Sequence, residues 1–198
     1  MKLRKFHPVM LALGLVCAVG QAGAQDLKSI LTGVAKAVVG DKATTAQTIL
    51  GTWSVVGPDC RFESDKLLAQ AGGEAAAVQV EKKLATVYDK LGVEGCRFVF
   101  NDDNTYSFVR NDRASEGSYT FDAEDKTITM KTKLGLSVKA HVTVTGSSMS
   151  LLFPADKLLT VLQTLMNLAG KVNNTASALS SIATNYDGLL LGFELKKQ

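Results

Sequence analysis

Residues Ile49–Arg61, ILGTWSVVGPDCR, decide how the chain is read. They hold the only tryptophan of the 198 residues, Trp53, in a Gly-x-Trp step (Gly51, Thr52, Trp53). That step opens a strand, and Gly57-Pro58 is expected to stop it, because proline cannot donate to a ladder. Cys60 follows. The segment predicts the first strand of a β-barrel, the one against which later strands close.

Downstream of Pro58 the apolar spacing becomes helical. Ser64 is placed to cap a short helix through Ala71, which Gly72-Gly73 interrupts. A longer helix is expected from Glu74 to Leu91, with Val80, Leu84, Val87, Tyr88 and Leu91 as its apolar stripe. From Gly95 onward the period is two. Cys96, Phe98 and Phe100 share one face, Asp102-Asp103-Asn104 turns the chain, and Tyr106 and Phe108 continue that face. Gly117, Tyr119 and Phe121 mark the next strand, Asp122 to Lys126 a turn, and Ile128 and Met130 the strand after.

Gly135 permits another return. Leu136, Val138, Ala140, Val142 and Val144 then alternate strictly with polar residues. Gly146-Ser147 turns into Met149 to Phe153. Two helices are expected at 155–169 and 175–186 before a final apolar strand, Leu189 to Leu195. Eight strands with local connections close into a barrel without exposed edges. An open β-sandwich with packed helices is the alternative.

Upstream, Lys2, Arg4 and Lys5 precede an apolar run from Val9 to Val19, and Ala22-Gly23-Ala24 offers small residues to a signal peptidase. The run of about 11 residues is too short to span a bilayer as a helix. Residues 1–24 are expected to be a cleaved secretory signal, placing the mature protein in the periplasm or outside the cell. A lipid anchor at Cys17 is not expected, since Val16 stands where a small residue is needed. Residues 25–48 form an N-terminal segment, helical from Asp26 to Val39 with a further turn near Thr44 and Gln47. The barrel domain occupies 49–198, with helical insertions at 64–91 and 155–186.

Removing the signal takes three of the 22 basic residues and none of the 19 acidic ones. The mature chain is then neutral and has no basic run, so it has no electrostatic footprint for nucleic acid. Cys60 and Cys96 are its two cysteines, an even pair in an oxidising compartment. A disulfide between them is expected, contributing roughly 3–4 kcal/mol by chain entropy; two buried thiols are the alternative.

Catalytic signals are few. One histidine, His141, falls on the polar side of its strand, away from any nucleophile. No CxxC or histidine pair spells a metal site, and no cofactor is expected. The acidic clusters fall where turns are expected and lack EF-hand spacing. The sequence reads as non-enzymatic. Its distinctive inventory is aromatic: Trp53, Phe98, Phe100, Tyr106, Phe108 and Tyr119, on strands and mostly at one parity, so that a closed barrel turns them inward. They either line a cavity for a small hydrophobic ligand or envelope component, or fill the core of a structural or protein-interaction module. A monomer with no membrane span is expected.

Several segments occur together: the Gly51-Thr52-Trp53 strand, GPDCRFESD at Gly57–Asp65, Ala71-Gly72-Gly73, the phenylalanine-rich hairpin, GSYTF at Gly117–Phe121 and LLFPADKLL at Leu151–Leu159. Over nearly all the mature chain they resemble a family of secreted bacterial lipocalin-like proteins of uncharacterised function. The resemblance implies a lipocalin-like barrel, mainly β within an α+β chain, an envelope or extracellular location, and no established activity. In lipocalins a basic residue near the chain end packs across the first-strand tryptophan; Lys196 or Lys197 stands in that place here. The helical insertion between Cys60 and Cys96 is a departure, since the second strand of a plain lipocalin follows more directly.

Overall fold

The computed structural model describes residues 43–158, 160–162, 186 and 188–198. Among them run eight strands: β1 (Gly51–Phe62), β2 (Arg97–Phe100), β3 (Thr105–Arg110), β4 (Arg113–Asp122), β5 (Thr127–Thr132), β6 (Ser137–Thr145), β7 (Ser148–Pro154) and β8 (Leu189–Lys197). Each pairs antiparallel with the next in chain order, and β8 returns to β1, closing the barrel. The α+β, mainly β barrel read from the sequence is the fold, and the open sandwich is excluded.

Register explains the inward aromatic set. Trp53 pairs with Phe98, and Phe98 with Phe108. One row over, Phe100 pairs with Tyr106 and Tyr106 with Gly117. Gly117 is required there: a Cβ would lie 2.1 Å from the Lys131 carbonyl oxygen and 2.7 Å from the Tyr106 ring.

Gly57-Pro58 does not stop β1. The strand runs on to Phe62, and the irregularity falls between Val55 and Gly57, where a bulge leaves Val56 exposed. Proline is tolerated because β1 pairs with β2 only through Ser54. Beyond that point β1 keeps only its β8 ladder, so the missing N–H of Pro58 is not needed on the other edge.

Two helices follow β1: α1 (Asp65–Ala71) and α2 (Glu74–Leu91). Ser64 caps α1 as expected, its Oγ accepting from the Leu67 N–H at 3.3 Å. Gly92 ends α2 in the left-handed conformation. The expected stripe of α2 is buried in one continuous core with the barrel aromatics. After β7, residues 155–158 and 160–162 are helical, with Leu158 and Leu162 buried. The expected signal segment, the expected Asp26–Val39 helix and most of the expected 175–186 helix lie outside the described residues.

One end of the barrel is closed by the chain just before β1. Ile49 is buried, and its carbonyl accepts from the Trp53 indole Nε1 at 2.8 Å. Thr44 does not cap the local turn. Its Oγ1 accepts from the Val144 N–H at 2.8 Å, while Thr45 and Thr48 hold the turn between themselves.

Candidate functional site

The six aromatics singled out from the sequence are all buried, and the fold brings five of them into one packed group. Phe98 meets Phe108 edge-on at 4.8 Å, and Phe100 meets Tyr119 at 5.3 Å and Tyr106 at 6.4 Å between ring centroids. Such pairs each add roughly 0.5–1.5 kcal/mol beyond the area they bury. Trp53 stands apart at the closed end, where Lys197 Nζ lies 5.1 Å from its ring centroid. The tail lysine therefore does cover the first-strand tryptophan.

Sequence reasoning passed over the group that ties α2 into the barrel. Tyr88 stacks on Phe193 at 5.1 Å and donates its hydroxyl to the Gly192 carbonyl at 2.8 Å. Phe193 in turn meets Phe98 at 5.6 Å and Phe153 at 6.2 Å. Burial holds the Tyr88 phenol well above its ordinary range, and the nearby Asp59 carboxylate pushes the same way. The helical period marked Tyr88 as inward, but nothing local in the sequence points to Gly192, 104 positions away.

Space remains at the opposite end from Trp53. A recess of about 50 Å³ opens at the mouth, lined by Phe98, Tyr106, Phe108, Met130 and Val138 of the barrel and by Val161 of the 155–162 helix. Ser115, Thr132, Ser137 and Thr160 contribute hydroxyls, and among the described residues no charged side chain lines it. Beside it the β5–β6 hairpin leaves Leu134 88% and Leu136 48% exposed. So Phe98, Tyr106 and Phe108 line space, whereas Trp53, Phe100 and Tyr119 are packed beneath it. The Tyr119 hydroxyl donates to the Asn101 carbonyl at 2.7 Å.

Cys60 and Cys96 are not bonded to each other, so the expected disulfide is not formed. The reason is register. Cys96 lies beside Val55, its carbonyl accepting from the Val55 N–H at 2.8 Å. Cys60 is five residues further along β1, about 16 Å away at ~3.3 Å per residue, well beyond bonding reach. Its sulfur meets the Ala77 carbonyl and Glu81 of α2 instead.

The acidic clusters serve turns. Asp103 Oδ1 accepts from the Thr105 hydroxyl at 2.6 Å and from the Thr105 N–H at 2.9 Å, and Asp122 Oδ1 from the Asp125 and Glu124 N–H groups. These bonds hold both carboxyls below their ordinary range. Among the described residues no group of three or more His, Cys, Asp and Glu side chains is placed to hold a metal. No described helix is long and apolar enough to cross a membrane. His141 is half-buried on the outer face; burial first, then Arg61, pushes its pKa down.

An eight-stranded up-and-down barrel, a Gly-x-Trp first strand and a C-terminal cation over that tryptophan define a lipocalin-like protein. The chain belongs to the lipocalin-like domain family DUF4923, whose model matches residues 25–197. Among solved structures, a DUF4847 family protein from Bacteroides vulgatus is similar at 14% identity. That match covers 78% of this chain and 98% of that one with a TM-score of 0.38, too low to bear on the argument. No curated protein matches.

Proposed function

We propose that this is an exported, non-enzymatic lipocalin-like protein that holds a small apolar group at its barrel mouth. The carrying observation is the recess: uncharged, mostly apolar, and formed by residues from β2 to β6 with the 155–162 helix. At about 50 Å³ it is far below the roughly 300–1,000 Å³ of a site that engulfs a drug-sized ligand. It takes the end of a molecule rather than the whole. The aromatics beneath it serve as core, and the contacts around Phe100, Phe153 and Phe193 are those of packing. Export is supported by the signal-like leader and by a family match that begins at residue 25. A closed sheet without a free edge supports a monomer.

The test is calorimetric titration of mature protein with octan-1-ol, alongside native mass spectrometry of protein purified from its own envelope. Saturable one-to-one binding that is lost in Val161→Trp, with circular dichroism unchanged, supports the reading. No binding and no retained mass would overturn it in favour of an interaction module with a wholly filled barrel.

A further inference from the structure

Arg110 is the last residue of β3 and shares the inward face of Tyr106 and Phe108, two of the recess walls. At ~3.3 Å per residue its Cα stands about 7 Å beyond that of Phe108, at the rim. Its Nε is buried and has no hydrogen-bond partner among the described residues. One Nη lies 3.1 Å from where a Cβ on Gly92 would stand, so the guanidinium rests against the C-terminal turn of α2. Across the β3–β4 hairpin Arg110 pairs directly with a second arginine, Arg113.

A buried N–H without an acceptor carries its full desolvation cost. The negative end of the α2 dipole offsets part of the charge but gives Nε no acceptor. An anion at the rim would do both. The recess has no charged lining of its own, so the charge of an amphiphilic ligand has to be met there.

We propose that Arg110 is the head-group site for a short-chain anionic amphiphile whose alkyl end occupies the recess. The carboxylate or phosphate head accepts from the guanidinium in charge-assisted hydrogen bonds. The short distance from rim to recess selects a short chain. The proposal rests on the reading that the recess takes an apolar group.

The experiment compares octanoate with octan-1-ol by calorimetry on wild-type, Arg110→Gln and Lys133→Gln protein, each checked for folding by circular dichroism. Octanoate is expected to bind the wild type at least about tenfold more tightly than octan-1-ol. Arg110→Gln is expected to erase that preference. Lys133→Gln, which removes an exposed cation of the β5–β6 turn already paired with Glu116, is expected to keep it. If octan-1-ol binds and octanoate binds no better, or the preference survives Arg110→Gln, the head-group assignment falls alone. If neither binds, the recess reading falls with it. Co-sedimentation with phosphatidylglycerol vesicles, lost in Arg110→Gln, would assign the head group to a lipid; free octanoate binding without vesicle binding assigns it to a soluble acid.

Discussion

Replacing Tyr88 by Phe removes one oxygen from the junction of α2 and the barrel and leaves the stack on Phe193 in place. The lost contact is the 2.8 Å hydrogen bond to the Gly192 carbonyl, which is buried. Leaving a buried acceptor without its donor costs about 1–3 kcal/mol. For a mature chain of this size, a loss of about 2 kcal/mol lowers Tm by roughly 4–8 °C. Tyr88→Leu also forfeits the ring stack and is expected to cost about 1 kcal/mol more. Urea unfolding followed by Trp53 fluorescence and far-ultraviolet circular dichroism measures both, with unchanged m-values expected. The phenol adds a pH signature. Its folded pKa is raised above the ordinary value of about 10, so its contribution is fully present below that value and declines as pH rises toward the folded pKa. The gap between wild type and Tyr88→Phe should be constant at neutral pH and shrink above about pH 10. A Tyr88→Phe protein within about 0.5 kcal/mol of wild type would refute the claim that this hydroxyl seats α2.

Gly192→Ala places a Cβ 1.9 Å from the Leu151 carbonyl oxygen, a backbone atom that cannot swing aside. A loss of at least about 3 kcal/mol is expected in thermal unfolding, whereas Gly57→Ala, with nothing within 4 Å of its new Cβ, should stay within about 0.5 kcal/mol. His141 resists protonation in the fold, so its contribution to stability is present above the ordinary value of about 6.5 and is lost as pH falls through the folded pKa. Its NMR titration midpoint should fall below that value, and His141→Gln should flatten the acid-side decline; a midpoint at or above it would refute the assignment. Thiol titration of unfolded mature protein without reductant should count both Cys60 and Cys96, with Cys96 protected in the native state. A mass two hydrogens lighter would show a bond that the register forbids.

Much of the architecture was legible because it is written in local periods. The strict alternation from Leu136 to Val144 and the stripe from Val80 to Leu91 each name their element and its buried face. What failed was non-local. Proline at 58 looked like a stop because the sequence does not show that β1 has shed β2 as a neighbour by then. Cys60 and Cys96 looked like a pair because flanking strands is not the same as being in register. The site divides the same way. Phe98, Tyr106 and Phe108 were found by parity, but parity could not separate them from Phe100 and Tyr119 beneath. Val161 and Arg110 gave no signal, since each matters only through what another element brings beside it.

The closure of β1 on β8 sets an order of events. Trp53 lies opposite Lys197 of β8, so a chain made from its N-terminus completes the barrel only after β8 has emerged. Until then β1 and β7 both present unsatisfied edges, and contacts of such sequence separation form slowly. The nine residues of β8 act as a keystone. Removing them should release an aggregating polypeptide rather than a smaller barrel, and the chain stays threadable until its own tail arrives.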